Sequence, residues 1–421
     1  MKICLVGGAV RDMLTGRSAT DLDFLVLDAT AEEFQQRFPS ARQVGKAFPV
    51  FIMDGHEYAF PRSPCAPCCG SGPGALAQAQ LVADLDARDF TINALALPLP
   101  DYPRIPTPGT ALSMVIGHPR AARDLREHTI RPASARAIQD DPLRVFRAAR
   151  FAAQLPHFTL HEETLAAMRE AAASPDFAAL AAPRIAQEVR KALRSPAPGN
   201  FLRALHSGGA LGVWFQEFLS APGIPAGPLP WHDEDVLEHT AQALDRLAGD
   251  EDFPPAPADR EVAAWMTLCH DLGKTMTPAD KHPSHHGHDD LGESPALRLG
   301  ERLALPTRFI HAGGLSARLH MTAGRYAELR PGTRVDLLTA AHAKQLTSEL
   351  FAVVKADKHH DHGPTARRDL KTILAVHLDD KDQDNGPASG DKLRMLRSEA
   401  LARVLRQSGG KKPASAPPKD N

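Results

Sequence analysis

The chain has 421 residues, of which 43% are hydrophobic and 24% are charged, and its formal net charge is −2. These values are typical of a globular protein of several domains, and they exclude a single small module, a disordered chain and a strongly basic nucleic-acid binder. No apolar stretch is long enough for a membrane helix and no signal-peptide pattern opens the chain, so we expect a cytoplasmic protein.

The first part of the chain, up to about residue 100, alternates short apolar runs with turn residues. The runs at 3–6, 24–27 and 50–53 predict strands, and Ala31–Arg37 predicts a helix. The five cysteines are an odd number, which indicates reduced thiols rather than a disulfide framework. Three of them, in Cys65-Ala-Pro-Cys68-Cys69, could form half of a zinc site, but the Gly/Pro-rich surroundings favour a loop.

The rest of the chain is predicted to be mostly helical. Apolar residues recur at helical spacing over 142–219 and again over 232–360, which holds most of the 20 histidines. The segments 379–391 and 408–421 are polar and rich in Gly, Pro, Ser and Lys, so we expect them to be loose. Between these segments, the apolar spacing over 393–404 predicts one amphipathic helix.

A glycine turn follows the first predicted strand, where Gly7 and Gly8 lead into a short helical stretch. Glycines at such a position let a phosphate approach the exposed backbone N–H groups at a helix start, and Arg11 would add positive charge. A plain turn between a strand and a helix explains the same residues equally well. The third glycine of a dinucleotide-binding fingerprint is missing.

Two carboxylates, Asp21 and Asp23, lie at the start of the second predicted strand. Residues two apart on a strand point to the same face, so both side chains can converge on one cation while Leu22 faces the core. Paired carboxylate oxygens suit Mg²⁺, which would bridge nucleotide phosphates and activate an attacking hydroxyl group. A solvated strand end is the alternative, and the glycine turn just upstream favours the metal site.

A third pattern begins at Asp141-Pro142, which is also how a helix starts, with an acidic N-cap and a proline in the first turn. From there Arg144, Arg147 and Arg150 recur every third residue and share roughly one side of the predicted helix. Buried packing does not require three guanidinium groups, so we expect an anionic or planar partner against them.

Together these patterns resemble the CCA-adding tRNA nucleotidyltransferases of the bacterial class within the polymerase-β-like superfamily. The resemblance lies in Gly7 to Asp12, in Asp21-Leu22-Asp23, in Arg88-Asp89-Phe90-Thr91-Ile92-Asn93-Ala94-Leu95 and in the stretch from Asp140 to Phe151. It implies an α+β fold, with a polymerase-β-like nucleotidyltransferase head containing a mixed sheet, followed by a mostly α-helical neck, body and HD domain. It also implies addition of C, C and A to the acceptor end of tRNA from CTP and ATP, with release of pyrophosphate.

The resemblance also implies a role for each matching residue. Asp21 and Asp23 would be the catalytic ligands of Mg²⁺, and the ribose and triphosphate would be held by Gly8, Arg11, Arg88, Arg147 and Arg150. Asp141 and Arg144 would contact the base edge, where the carboxylate accepts from an exocyclic amine and the guanidinium donates to the adjacent ring nitrogen. Cytosine and adenine present that pattern, and a site demanding both bonds rejects a wrong base by a factor of up to about 10⁴.

The second half of the chain carries the ordered series His239, His270, Asp271 and Asp357. Two imidazoles and two carboxylates can bind a divalent transition metal and leave positions open for water and phosphate. The series resembles the HD phosphohydrolase domain in one branch of the same tRNA enzymes. This implies hydrolysis of 2′,3′-cyclic phosphates, 2′-nucleotides and phosphate monoesters, with Ni²⁺ or another divalent transition metal.

The sequence assigns no definite chemical role to the remaining histidines. His285, His286 and His288 could form a polar loop or could serve a second metal ion or the substrate. Three further histidines are predicted to lie on the surface, namely His359, His360 and His362.

The predicted domains are a nucleotidyltransferase head at 1–135, a helical neck with base-reading and RNA-binding helices at 136–227, an HD domain at 228–365 and a helical, basic tail at 366–421. We expect a monomer or homodimer that binds neither DNA nor a membrane. The alternatives are a bacterial poly(A) polymerase, an enzyme that adds only C or only A, and a regulator whose head only senses a nucleotide. In the family, a flexible loop helps the switch from C to A, and here the corresponding loop 61–80 is unusually rich in Cys, Pro and Gly.

Overall fold

The structure is a computed structural model that describes residues 1–19, 21–44, 49–61, 75–253, 256–383 and 386–409. The chain divides into two compact units. The first unit comprises Met1–Arg184 with Ala204–Ala210, and the second comprises Ile185–Arg203 with Leu211–Asn421. No helix within the described ranges is both long enough and apolar enough to cross a membrane.

A seven-stranded mixed sheet forms the centre of the first unit. Its strands are β1 (Lys2–Val6), β2 (Asp23–Leu27), β3 (Arg42–Val44), β4 (Val50–Met53), β5 (His56–Ala59), β6 (Leu95–Pro98) and β7 (Ile116–Gly117). They lie in the order β3-β4-β5-β2-β1-β6-β7, and every neighbouring pair is antiparallel except β2 and β5, which are parallel. The three strands predicted from apolar runs are confirmed as β1, β2 and β4.

Helices and one short strand pair complete the first unit. The helices are α1 (Gly8–Leu14), α2 (Ala31–Arg37), α3 (Ala75–Asp86), α4 (Pro108–Ala111), α5 (Ala121–Arg126), α6 (Ala137–Asp140), α7 (Arg144–Gln154), α8 (Glu162–Ala172) and α9 (Pro175–Ala178). A parallel pair joins β8 (Thr129–Ile130) to β9 (Thr159–Leu160). The helix predicted from residue 31 is confirmed with the expected bounds, and Thr30 caps it by accepting a hydrogen bond from Glu33 N.

Apolar side chains on both faces of the sheet explain why β1 and β2 are continuous apolar runs. Alternate residues belong to two different core clusters, with Leu5 and Phe24 in one and Val6 and Leu25 in the other. A strand that is covered on both faces needs apolar side chains at every position, whereas a strand with one solvated face alternates. Asp23, the first residue of β2, is an exception to this pattern because it is exposed.

The second unit is helical in its described part. The helices α10 (Ala182–Leu193) and α11 (Gly199–Ser207) contribute residues to both units. The others are α12 (Val236–Ala248), α13 (Pro257–Cys269), α14 (His288–Arg302), α15 (Thr307–Gly324), α16 (Pro331–Ala343), α17 (Thr347–Lys358), α18 (Gly363–Leu374) and α19 (Pro387–Gly409). The amphipathic helix predicted over 393–404 is confirmed within α19, which packs against α16 and α18.

Two predictions about local structure need correction. Part of the segment 379–391 is ordered, because Asp380–Asp382 forms a 3-10 turn and α19 already begins at Pro387. The helix expected to start directly after Asp141 instead begins as α7 at Arg144. Asp141 is extended, and a turn closed by the hydrogen bond from Arg144 N to Asp141 O comes before the helix.

Candidate active sites

The glycine turn and the acidic pair lie side by side in the first unit. Val6, the last residue of β1, pairs with Asp23, the first residue of β2, and Gly7 follows at once with a φ of 76°. That φ lies in the left-handed region, which glycine adopts without strain. Asp21 and Asp23 are exposed, whereas Leu22 between them packs against the core. The predicted alternation of the two carboxylates with a core residue is therefore confirmed.

Four arginines lie beside the turn or are linked to it through Asp89, Asn93 and Phe151, and they are called the arginine cluster below: Arg11, Arg88, Arg147 and Arg150. The guanidinium groups of Arg11, Arg147 and Arg150 lie 5.6, 5.7 and 4.0 Å from the ring centroid of Phe151, within the range of cation–π contacts. A Cβ atom built on Gly7 would lie 2.9 Å from Nη1 of Arg88, so a larger residue at this position would crowd that guanidinium. The structure thus brings together all the residues predicted to hold the ribose and triphosphate.

Asp89 and Asn93 connect the arginine cluster. The buried carboxylate of Asp89 accepts hydrogen bonds from Nε of Arg147 at 2.8 Å and from Nδ2 of Asn93 at 3.1 Å. Oδ1 of Asn93 in turn accepts from Nη1 of Arg11 at 2.6 Å. Burial raises the pKa of Asp89, but the charge of Arg147 and the hydrogen bonds outweigh burial and hold the pKa below its usual value. Asp89 therefore stays ionised and fixes two arginines through one short segment.

The two predicted base-reading residues lie next to this segment. The guanidinium of Arg144 donates to the backbone carbonyls of Ala87 at 2.8 Å, Arg88 at 3.2 Å and Ala137 at 3.0 Å. Asp141 is half-buried and its Oδ1 accepts from Leu143 N at 3.3 Å, which is the local capping contact expected at a helix start. Its other oxygen pairs with Arg184 at 3.2 Å. Both side chains are thus held in defined positions by neighbouring groups.

The four predicted HD ligands meet in the second unit. Nε2 of His239, on α12, lies 3.1 Å from Oδ1 of Asp357 on α17 and 3.3 Å from Oδ2 of Asp271. Nε2 of His270, at the end of α13, lies 3.1 Å from the same Oδ2. All four side chains are buried. Residues far apart in the chain therefore converge, as the ordered series predicts.

The environment of these groups favours negative carboxylates. Burial raises the pKa of Asp271, but the charges of His270 and Lys274 and the hydrogen bonds hold the pKa well below its usual value. Burial lowers the pKa of His239, but the carboxylates of Asp271 and Asp357 raise it to about 9. Burial raises the pKa of Asp357, but the hydrogen bond to His239 and the charges of His270 and Lys358 together outweigh burial and lower the pKa.

This donor set fits a divalent metal ion. Among the described residues, Nε2 of His270 and both carboxylate oxygens of Asp271 have no hydrogen-bond partner of good geometry, although Nζ of Lys274 lies 2.7 Å from Oδ2 as an ion pair. Buried polar atoms are rarely left in this state, and a metal ion would take up their lone pairs. Nδ1 of His270 lies 2.6 Å from the carbonyl oxygen of Thr267, and Nδ1 of His239 lies 2.9 Å from Oε1 of Glu234. These contacts leave Nε2 of each ring to face the site, as in many metal centres.

The burial and contacts of the other histidines differ in part from the prediction. His288 is buried, and its Nε2 lies 3.3 Å from Oδ1 of Asp271. His285 has both ring nitrogens engaged elsewhere, 2.6 Å from Oγ1 of Thr277 and 2.7 Å from the carbonyl of Pro225, and His286 is exposed. The structure therefore brings only His288 of these three to the carboxylate. Of the three predicted surface histidines, two are exposed and His362 is half-buried.

Sequence reasoning missed His320, whose Nε2 lies 3.4 Å from Oδ1 of Asp271. This histidine lies in α15 outside every motif recognised in the sequence, so no local pattern marks it. Asp89 and Asn93 were part of a recognised motif but received no role of their own. The cysteines Cys65, Cys68 and Cys69, with most of the loop 61–80, lie outside the described residues.

The chain matches three protein-family models. The poly A polymerase head domain matches residues 3–131, the model described as "Probable RNA and SrmB- binding site of polymerase A" matches 157–221, and the HD domain matches 236–361. The last range contains all four predicted HD ligands, and the first contains the acidic pair.

Full-length relatives and solved structures agree with these matches. The chain is 35% identical over 427 residues to a multifunctional CCA protein of Stenotrophomonas maltophilia (strain K279a), with 96% of this chain and 99% of the relative covered. It is 35% identical over 434 residues to the multifunctional CCA protein of Xanthomonas campestris pv. campestris (strain B100), covering 97% and 100% of the two chains. The fold is similar to that of the Bacillus stearothermophilus CCA-adding enzyme in complex with CTP, with a TM-score of 0.60, 20% identity and coverage of 97% and 94%. It is also similar to the Thermotoga maritima CCA-adding enzyme complexed with tRNA, with a TM-score of 0.57, 18% identity and coverage of 97% and 89%.

Proposed function

The chain belongs to the family of multifunctional CCA proteins, and on that basis we propose that it adds the 3′-terminal C, C and A to tRNA from CTP and ATP, with release of pyrophosphate. It is a nucleotidyltransferase that also carries an HD domain. The main support for this proposal is that the acidic pair lies beside the glycine turn, near the arginine cluster. The reaction would take place in the cytoplasm, where the tRNA substrate is matured.

The head offers separate groups for each part of the nucleotide. Asp21 and Asp23 would hold Mg²⁺, which would activate the 3′-hydroxyl group of the tRNA and offset the charge on the departing pyrophosphate. The arginine cluster would bind the triphosphate, because guanidinium groups match phosphate oxygens with paired hydrogen bonds. Arg11 and Arg150 are each 6% exposed, and a charge with little water around it interacts more strongly with an anion.

Asp141 and Arg144 would select the base. The carbonyls that hold Arg144 come from the segment just before Asp89, so the base-reading guanidinium and the phosphate-binding arginines are positioned by one stretch of backbone. With no nucleic-acid template, a carboxylate that accepts from an amine and a guanidinium that donates to a ring nitrogen would admit cytosine and adenine. Uracil and guanine would leave both charged groups unpaired.

Exposed arginines offer a surface for the acceptor end of tRNA. Arg120, Arg123 and Arg136 have side chains that are 57%, 66% and 82% exposed. Charges of this kind bind the phosphate backbone without reading sequence, which suits an enzyme that must accept many tRNAs.

For the HD domain we propose hydrolysis of 2′,3′-cyclic phosphates, 2′-nucleotides and phosphate monoesters. The converged group of His239, His270, Asp271 and Asp357 supports it, because these residues would hold Ni²⁺ or a similar ion. A bound ion of this type would polarise the phosphate and supply a water molecule that ionises near neutral pH. The four side chains are buried, so little water would compete with the ion for them.

The experiment that tests both activities uses tRNA truncated at each terminal position, with each nucleoside triphosphate supplied separately, and 2′,3′-cyclic AMP for the HD domain. Asp21→Ala or Asp23→Ala should abolish nucleotide addition and leave hydrolysis nearly unchanged, and His270→Ala should do the reverse. Retention of more than about a tenth of the addition activity in both head variants would contradict the two-carboxylate site. Repeated addition of A to an intact end would instead indicate a poly(A) polymerase.

A further inference from the structure

Trp231 is an exposed tryptophan of the second unit to which the proposed activities give no role. It is 78% exposed, whereas the other two tryptophans of the chain, Trp214 and Trp265, are 7% and 0% exposed. Within the described ranges, every other phenylalanine, tyrosine and tryptophan is buried or half-buried. Single exposed apolar residues are common on protein surfaces, so the meaning of Trp231 depends on where it lies.

Trp231 belongs to a loop that leads directly into the HD ligands. The loop comprises residues 225–235 and is called the tryptophan loop below. Pro225 and Asp235 pair as an antiparallel bridge at its base. The helix α12 begins at the next residue and carries His239 in its first turns. The loop is therefore attached to the helix that supplies the first of the four HD ligands.

Two side chains of the tryptophan loop contact that ligand. Oε1 of Glu234 lies 2.9 Å from Nδ1 of His232 and 2.9 Å from Nδ1 of His239. The rings of His232 and His239 meet edge to face, with centroids 4.9 Å apart. Trp231 directly precedes His232, so their Cα atoms are about 3.8 Å apart. The exposed indole is thus one residue away from a ring that contacts a proposed metal ligand.

The tryptophan loop has little conformational freedom. It contains three prolines, and the ring of each proline fixes φ. Nε2 of His285 lies 2.7 Å from the carbonyl oxygen of Pro225, which connects the base of the loop to the turn before α14. A Cβ atom built on Gly227 would lie 2.4 Å from Cδ2 of His232, so the two sides of the loop pack closely. A side chain on such a loop loses less entropy when a ligand binds.

An exposed indole beside a phosphate site has the chemistry to bind a nucleobase. Every base presents a flat π face, and its stacking on an aromatic side chain does not depend on a hydrogen-bond pattern. In a nucleotide the ribose separates the base from the phosphate. The base can therefore lie outside the buried ligands, on the exposed loop, while the phosphate reaches the metal site.

We propose that Trp231 stacks on the base of the nucleotide whose 2′-phosphate or 2′,3′-cyclic phosphate is hydrolysed at the HD site. The inference rests on the function proposed for the HD domain, and it adds a preference for nucleotides over phosphate esters that have no base. All four bases are accepted, because stacking reads no donor or acceptor pattern, and purines bind more tightly because they offer a larger stacking surface.

The kinetic test compares two phosphate monoesters in the full-length protein: 2′-AMP, which has a base, and glycerol 2-phosphate, which has none. Trp231→Ala should raise KM for 2′-AMP by about 5- to 150-fold, the range for loss of one base–aromatic stack. Its kcat for 2′-AMP, and both constants for glycerol 2-phosphate, should stay within about twofold of the parent, because only binding of the base is removed.

Two further variants complete the kinetic test. Trp231→Phe keeps an aromatic face and should recover most of the affinity for 2′-AMP. Met395→Ala removes an exposed apolar side chain from α19, a helix that carries none of the proposed metal ligands, and should match the parent. Circular dichroism verifies that each variant is folded, and calorimetry with Ni²⁺ should give the parent affinity in Trp231→Ala.

Tryptophan fluorescence gives a measurement that does not depend on turnover. Adenosine, the product of 2′-AMP hydrolysis, is added to the metal-free protein, and ribose serves as its control. Stacking of adenine on Trp231 should quench the emission, whereas ribose should leave it unchanged. Trp231→Phe keeps Trp214 and Trp265, which are both buried, and should lose the response. All three tryptophans lie in the second unit, so the signal does not come from the nucleotidyltransferase head.

The possible outcomes separate this inference from the proposed function. If the metal-loaded parent hydrolyses both esters and Trp231→Ala leaves KM for 2′-AMP unchanged, the stacking site is refuted and the proposed function stands. If the metal-loaded parent hydrolyses neither ester nor 2′,3′-cyclic AMP, both are overturned. Equal increases of KM for the two esters, or weaker Ni²⁺ binding, would show that Trp231 only maintains the shape of the site. A change from dimer to monomer in Trp231→Ala with unchanged KM would instead assign Trp231 to a contact between two copies of the chain.

Discussion

Replacing Gly273 by alanine should disable the HD site and leave nucleotide addition intact. Gly273 lies two residues after Asp271, in the 3-10 turn Leu272–Met276 that packs against the start of α14. A Cβ atom at this position would lie 1.8 Å from the carbonyl oxygen of His288 and 2.8 Å from the backbone nitrogen of Gly292. Carbon and oxygen atoms in ordinary contact are separated by about 3.5 Å, so the two segments would have to part by more than about 1 Å.

The loss of folding free energy in Gly273→Ala can be derived from that overlap. Overpacking a core typically costs about 1–3 kcal/mol, and an overlap against backbone, which cannot rotate away, puts this substitution at the upper end. For a unit of this size each kcal/mol lowers the melting temperature by about 2–4 °C, so a decrease of roughly 6–12 °C is expected. Because His288 sits at the contact, the displacement also moves a residue that faces Asp271, and hydrolysis should be lost.

The assays are thermal unfolding, hydrolysis of 2′,3′-cyclic AMP and nucleotide addition to truncated tRNA. The matched control is Gly212→Ala in the same unit, where a Cβ atom would have no other atom within 4 Å. This variant should behave like the parent in all three assays. If Gly273→Ala melted within about 1 °C of the parent and hydrolysed at the parent rate, the close approach of the two segments would be wrong.

Three further outcomes are expected. Asp141→Ala and Arg144→Ala should broaden the choice of nucleotide more than they weaken triphosphate binding. If Asp141→Ala instead lowered the melting temperature and left the choice of nucleotide unchanged, Asp141 would act only as a helix cap, which stabilises the fold by about 0.5–2 kcal/mol. Phe151→Leu should raise KM for CTP and ATP at least tenfold with less effect on kcat, since three cation–π contacts that position the guanidinium groups, together about 1.5–3 kcal/mol, are removed, and Phe151→Tyr should keep the KM of the parent. The pKa of His239 is raised from 6.5 to about 9 in the metal-free protein, so its contribution to stability should be full below pH 6.5 and lost as the pH rises through about 9. A metal ion must displace that proton, so the affinity for Ni²⁺ should rise with pH over the same range, and calorimetry at several pH values would measure this.

The parts of the site that depend on local pattern were predictable from sequence. Asp21 and Asp23 alternate with a core residue, and strand geometry alone places them on one face. Asp357 contacts His239 across more than a hundred residues, and it was identified because the ordered series resembles that of HD domains. His320 could not be found in this way, because its contact with Asp271 depends on the packing of α13, α14 and α15. A histidine in a helix that belongs to no recognised motif carries no signal of its own.

The start of α7 shows a second limit of sequence reasoning. Asp141 and Pro142 predict an immediate helix, because an acidic cap followed by proline stabilises the first turn. In the structure Asp141 stays extended while its carboxylate meets both Leu143 N and Arg184. Arg184 lies far along the chain, so the local sequence around Asp141 does not reveal this contact. Differences of one or two residues at a helix end are common.

The charges around the glycine turn bear on the form in which a nucleotide would bind. The guanidinium groups of Arg11, Arg88 and Arg147 are paired with carboxylates, in the pairs Arg11–Asp12, Arg88–Asp84 and Arg147–Asp89. These pairs, together with the ring of Phe151, allow like charges to lie close together in the absence of a nucleotide. They also reduce the positive charge that these three arginines offer to an incoming triphosphate. On the proposed function, a cation at Asp21 and Asp23 would supply the remaining positive charge, so we expect the triphosphate to bind together with its metal ion.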